Sequence, residues 1–232
     1  MLHVSSMMDQ LLLDITPPWR PTFDNFVAGH NSELLSVLRH ALSGDGAERC
    51  IYLWGVEGSG KSHLLKACAN SALHAVYAEA CVPEPAGIVA VDDVDCLDDA
   101  AQIELFNLYN RMREKGNMLL MSGAKSPLHL ALRDDLRTRL GWGLVYQVQT
   151  LSDEEKAEAL AKHALNKGFS LAPEVSHYLL RHGRRDLPSL LAALDALDEH
   201  SRRLQRAPSV PLLKEVINNQ LDSRLRGNEE NK

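Results

Sequence analysis

A chain of 232 residues has room for one mid-sized domain with a small satellite and can bury a proper core. Its formal net charge of -6 argues against broad, sequence-independent DNA binding, which draws on many Lys and Arg contacts to phosphate. The four cysteines, Cys50, Cys68, Cys81 and Cys96, show no metal-ligand spacing, and the histidines do not cluster. The expectation is buried free thiols in a reducing compartment and no metal beyond one brought by a ligand. No stretch is long and apolar enough to cross a membrane, and Leu11-Leu12-Leu13 has acidic flanks and no cationic leader, so a cytoplasmic protein is expected.

Residues 1–18 read as a flexible tail closed off by Pro17-Pro18. Within it, Gln10-Leu11-Leu12-Leu13-Asp14-Ile15 offers Leu11, Leu13 and Ile15 as apolar anchors for an extended segment, with Gln10 as a specific hydrogen-bonding group. A leucine cluster folding back on its own domain is the alternative. Thr22-Phe23-Asp24-Asn25-Phe26-Val27 follows, and Asn31 or Ser32 is expected to cap a helix that buries Leu34, Leu35, Val37, Leu38, Ala41 and Leu42.

Ile51-Tyr52-Leu53-Trp54 then leads as an apolar strand into Gly55-Val56-Glu57-Gly58-Ser59-Gly60-Lys61-Ser62, and His63 to Ala72 reads as a helix. Strand, glycine-bracketed loop, Lys, hydroxyl residue and helix come in the order a phosphate-binding P-loop requires. Gly55, Gly58 and Gly60 let the backbone wrap a polyphosphate so that amides around Ser59 and the positive helix end meet its oxygens. Lys61 is expected to bridge the outer phosphates, Ser62 to ligate Mg2+, and His63 to flank the same nucleotide, ADP or ATP.

Ala75–Ala78 is a short strand, and the two prolines between Glu79 and Gly87 exclude a regular helix there. Ile88-Val89-Ala90-Val91-Asp92-Asp93 is an apolar strand ending in two acids at the edge where open α/β sheets bind ligands. Asp92 is assigned to Mg2+ and Asp93 to orienting water, while Asp95, Asp98 and Asp99 read as solvated charges at a helix start. Ile103, Leu105, Phe106, Leu108, Tyr109 and Met112 mark an amphipathic helix, and Met118–Gly123 the next buried strand, with Ser122 a polar candidate at its end. Arg137 and Arg139 precede Gly141-Trp142-Gly143, and Val145–Val148 completes a five-stranded set.

From Leu151 the pattern turns helical. Ser152-Asp153-Glu154-Glu155 is a capping box opening a helix with Ala157, Leu160, Ala161, Ala164 and Leu165 on its inner face. Pro173 opens a second helix. Arg184-Arg185-Asp186 leads into a third with Leu190, Leu191, Leu194 and Leu197 as its buried stripe, and 211–217 forms the last. The expected organisation is a tail at 1–18, a nucleotide-binding α/β domain at 19–150, a small helical lid at 151–220 and a disordered tail at 221–232.

The Gln10–Ile15 peptide, the Phe-Asp-Asn-Phe segment, the P-loop and the Arg before Trp-Gly, taken together, resemble the DnaA family of AAA+ ATPases. The resemblance covers nearly all of residues 10–220 and implies a five-stranded parallel sheet between helices plus a helical lid. It implies that Phe26 lies beside the nucleotide, that Arg139 is a finger reaching the γ-phosphate of a neighbour, and that Arg185 is the lid's phosphate sensor. It also likens Gln10–Ile15 to the peptide by which replication proteins dock on the DNA polymerase III β sliding clamp. Hardly any room exists at 79–87 for the family's single-stranded DNA insertion, and no origin-reading domain follows the lid. Ala124 stands where the family carries Asp.

This layout resembles the regulatory branch that inactivates DnaA. The expected function is therefore negative regulation of replication initiation through stimulated ATP hydrolysis by DnaA, with weak or no intrinsic turnover, no strong DNA binding and homo-oligomerisation left open. A DnaA-like initiator or helicase loader working on DNA is the alternative, and a stand-alone P-loop kinase a more distant one.

Overall fold

The strand Cys50–Trp54 (β1) alternates its side chains between two cores, and the rest of the chain is arranged around that alternation. A computed structural model describes residues 20–44, 48–184 and 186–216. The five strands β1, Ala75–Glu79 (β2), Ile88–Asp92 (β3), Met118–Gly123 (β4) and Leu144–Gln147 (β5) form one parallel sheet in the order β2-β3-β4-β1-β5. Near-continuous apolar runs at β1, β3 and β4 fit strands covered on both faces.

On one face, Ile51 and Leu53 pack with Leu34, Leu38 and Ala41 of helix α1 (Ser32–Leu42) and Leu64, Leu65 and Cys68 of α2 (Lys61–Asn70). On the other, Tyr52 packs with Leu105, Leu108 and Met112 of α3 (Asp99–Glu114) and Leu136 and Leu140 of α4 (Asp134–Leu140). This is the AAA+ arrangement expected from the strand and helix order. A separate apolar cluster lies beneath α5 (Asp153–Asn166), α6 (Pro173–His182), α7 (Leu187–Leu204) and the helix α8 at 210–216. The capping box opening α5 is formed in full by Ser152 and Glu155, and Asp186 caps α7 through Ser189 N.

Several expectations need correction. Asn31 does not cap α1 with its side chain. It is buried and exchanges two bonds with the Gln149 backbone, at 2.9 and 2.7 Å, because a buried amide is better satisfied by a matching peptide donor and acceptor. Ile103 and Leu165 point outward, at 45% and 66% exposure, since the buried stripes of their helices are centred on Leu105 and Leu160 instead. Cys81 and Cys96 are exposed, while Cys50 and Cys68 sit in or beside the core, where burial pushes both thiols up to about 12. Asp95 accepts from Ala124 N at 3.2 Å and ties the end of β4, so it is more than a solvated charge.

Candidate functional site

The loop between β1 and α2 emerges at the edge where the parallel strands end, as a short strand-to-helix turn must. Gly58 and Gly60 adopt positive φ, +76° and +103°, which L side chains rarely take. A Cβ on Gly60 would also lie 2.7 Å from the Phe26 ring, so the glycine is what lets the Phe-Asp-Asn-Phe segment close over the loop. His63 lies 5.3 Å from the same ring and donates through Nε2 to the Thr22 carbonyl at 2.9 Å. Burial holds the His63 imidazole below its ordinary 6.5, against the raising effect of that carbonyl.

Lys61 is buried and donates to its own loop, to Gly55 O at 2.8 Å and Val56 O at 3.2 Å. An ammonium has three protons, so one remains for an outside acceptor. The Ser59 hydroxyl is buried and has no hydrogen-bond partner among the described residues. A positive-φ glycine cradle, an inward lysine and an orphaned hydroxyl fit a polyphosphate. Ser62 lies in the first turn of α2 beside them, half-buried.

Asp92, at the end of β3, is fully buried. The Ser122 hydroxyl donates to one of its carboxylate oxygens and the Tyr77 hydroxyl to the other, at 2.8 Å for Tyr77. Ser122 in turn accepts from Asp93 N at 3.3 Å. Asp93 sits in the left-handed region at φ 51°, which turns the chain out of the strand. Its carboxyl is raised above the ordinary range by burial and by neighbouring Asp92, with Lys61 opposing. The two acids and the P-loop lysine therefore share one neighbourhood, in which Asp92 is held by hydroxyls and Asp93 remains half-exposed.

The lid meets this cradle directly. Asp186, at the start of α7, lies 3.5 Å from where a Gly58 Cβ would stand, and Arg184 is 3.5 Å from the Asp186 carboxylate. A cleft runs between the two parts, lined by Phe26, Gly58, Ser59, His63, Lys156 and Leu187 among others. Arg185 lies outside the described residues, as do Gln10, Leu11, Leu13 and Ile15.

Arg139 stands elsewhere. Helix α4 ends just before β5 begins, and Leu144 of β5 pairs with Ile51 near the start of β1. Arg139 is thus set toward the edge where strands begin, away from the P-loop by the length of β1, roughly 15 Å. Its guanidinium lies 4.1 Å from the Trp142 ring centroid, 5.4 Å from Phe106 and 5.8 Å from Tyr109. It is half-buried, and no carboxylate among the described residues pairs with it, whereas Arg137 pairs with Asp134 at 2.7 Å.

Sequence reasoning missed Tyr77, Lys156 and the rings around Arg139. Tyr77 could have been suspected from its strand period, which puts it on the same side as Glu79, itself opposite Asp92 in the register. Lys156 offered no signal beyond its place three residues after a helix start. Among the described residues no helix is long and apolar enough to cross a membrane, and no cluster of His, Cys, Asp and Glu could hold a metal by itself.

Comparison with known families gives two matches. Residues 19–82 and 84–147 match the bacterial DnaA ATPase domain, and residues 153–217 match the lid domain of Hda. Among solved structures, domain III of DnaA from Thermotoga maritima superposes with a TM-score of 0.72 at 20% identity, over 88% of this chain and 97% of that one. AMPPCP-bound DnaA from Aquifex aeolicus gives 0.67 at 21% identity, over 83% and 71%. A DNA replication initiation factor gives 0.66 at 20%, over 81% and 66%, so the chain spans about two thirds of its length. Identities this low speak for the fold.

Proposed function

We propose that this chain, which belongs to the DnaA family of AAA+ proteins and carries an Hda lid domain at 153–217, is a nucleotide-holding regulator that acts on ATP bound by DnaA. The observation that carries the reading is the placement of Arg139 a strand's length from the chain's own phosphate cradle, half-exposed and without a carboxylate partner among the described residues. An arginine so placed serves a second molecule's triphosphate more readily than its own. Arg fits the role because its charge is permanent and its planar fork of donors matches phosphoryl oxygens. In trans, such a finger accelerates hydrolysis by roughly 10³- to 10⁵-fold in well-studied GTPases.

The chain's own site would hold an adenine nucleotide, as the Aquifex DnaA holds AMPPCP. Ser59, Gly60 and Lys61 would receive the phosphates, Phe26 and His63 would close over the nucleoside, and Arg185 would add a contact from the lid. Ser62 and Asp92 would hold Mg2+, directly or through water. The ion, when bound, would neutralise phosphate charge. Asp93 is shorter than the Glu of many AAA+ relatives, and that shorter reach favours holding nucleotide over turning it over. Gln10, Leu11, Leu13 and Ile15 would tether the protein to the sliding clamp, raising its local concentration beside newly replicated DNA.

The test is ATP hydrolysis by DnaA with this protein and DNA-loaded clamp. Wild type is expected to accelerate it. Arg139→Ala should abolish the acceleration while leaving nucleotide and clamp binding intact, and undiminished acceleration by that variant would end the proposal. Strong, salt-dependent DNA binding with no effect on DnaA would favour an initiator or loader instead.

A further inference from the structure

An exposed tryptophan next to an arginine that no carboxylate among the described residues pairs with needs an explanation. Trp142 is 54% exposed, and the Arg139 guanidinium lies nearer to its ring than to any other. Phe106 and Tyr109, one turn apart on α3, supply two further faces, and Gly143 fixes the turn because a Cβ there would lie 2.2 Å from Cys50 O. Ring contacts hold a guanidinium over an aromatic face and leave its N–H donors directed outward along its edge. A carboxylate partner would instead consume those donors. Arg137 shows the contrast two residues earlier, its fork engaged by Asp134.

The geometry points to Trp142, with Phe106 and Tyr109 as further ring faces, as a positioning residue that sets the orientation of Arg139 before any partner arrives. The inference rests on the trans-acting reading above and deepens it. Three rings restrain the side chain without occupying its donors, so less rotamer freedom is lost when the fork meets a phosphate. Tryptophan suits the position because its face is the best of the three aromatic types for a cation. The partner group recognised is a polyphosphate oxygen cluster presented by another molecule.

The experiment measures DnaA ATP hydrolysis against concentration of this protein for Trp142→Leu, which keeps apolar bulk but has no aromatic face, and Trp142→Tyr, which restores one. Leu is expected to lower the rate at saturation roughly three- to tenfold with the half-saturating concentration unchanged, and Tyr to recover most of it. Arg137→Ala should behave as wild type. Full saturating activity in the Leu variant, a Tyr variant as poor as Leu, or a loss confined to the half-saturating concentration would each overturn the assignment. A double-mutant cycle on thermal unfolding between Arg139→Ala and Trp142→Leu tests the restraint in the chain alone, and strict additivity would count against it. Lack of stimulation by wild type would sink the regulatory reading, while the cycle would still decide whether the rings hold the arginine.

Discussion

The two ends of β1 are built from different materials. Where the strand ends, the P-loop is backbone, glycine and a buried lysine turned in on its own carbonyls, roofed by Phe26. Where it begins, the chemistry is carried by partly exposed side chains, an arginine resting among three rings. Enclosure suits retention of a ligand, because low water access strengthens each contact and slows exchange. A half-exposed cation on a shaped support suits an encounter with something that arrives and leaves. The proposed function asks one molecule to hold one nucleotide and act on another.

This contrast can be broken from either side. The loss of all stimulation expected for Arg139→Ala is the largest effect, and it should leave the P-loop end untouched. Gly60→Ala attacks the opposite end. The positive φ costs about 1–3 kcal/mol in a non-glycine residue, and the new Cβ displaces Phe26. Nucleotide affinity should fall about 10- to 100-fold by fluorescence titration, with the Arg139–Trp142 coupling unchanged. If affinity survives, the roof over the loop is not part of the site. The intermediate loss expected for Trp142→Leu then asks whether the far end is preorganised.

Tyr77→Phe sharpens the enclosed end. Removing one hydroxyl donor from a buried carboxylate should cost about 1–3 kcal/mol in denaturant unfolding. It should also shrink the Mg2+-dependent part of nucleotide affinity about 10-fold while affinity in EDTA is kept. Equal losses with and without Mg2+ would make Tyr77 structural only. The smallest effect is a pH dependence. His63 has its proton affinity depressed by folding, so the unfolded chain binds the proton more readily and stability is present above about 6.5 and lost as pH falls below it. His63→Gln should flatten that acid-side decline in thermal stability, and an unchanged slope would assign the decline to other groups.

The sheet and the P-loop were legible because their signals are local: apolar runs of strand length, glycines at fixed offsets, and a lysine and hydroxyl closing the motif. The α5 capping box was legible for the same reason, both partners lying within one turn. The bracing of Asp92 was not, because its donors come from β2 and β4, strands that flank β3 and lie 15 residues before it and 30 after. The rings beneath Arg139 depend on α3 packing against α4, which periodicity in α3 cannot reveal; Phe106 was read only as core. Asn31 looked like a helix cap, since nothing nearby announces a partner 118 residues away.

That distant partner has a mechanical corollary. Gln149 is pinned through both its amide and its carbonyl, and α5 starts at Asp153, so only a few residues are free to act as the swivel between the two parts. Three residues carry six soft backbone dihedrals, so the joint limits how far the two parts can separate more than how they rotate. Asn31→Ala frees both groups of Gln149 and lengthens the joint, and it should broaden the distribution of distances between a pair of spectroscopic labels on α1 and α7.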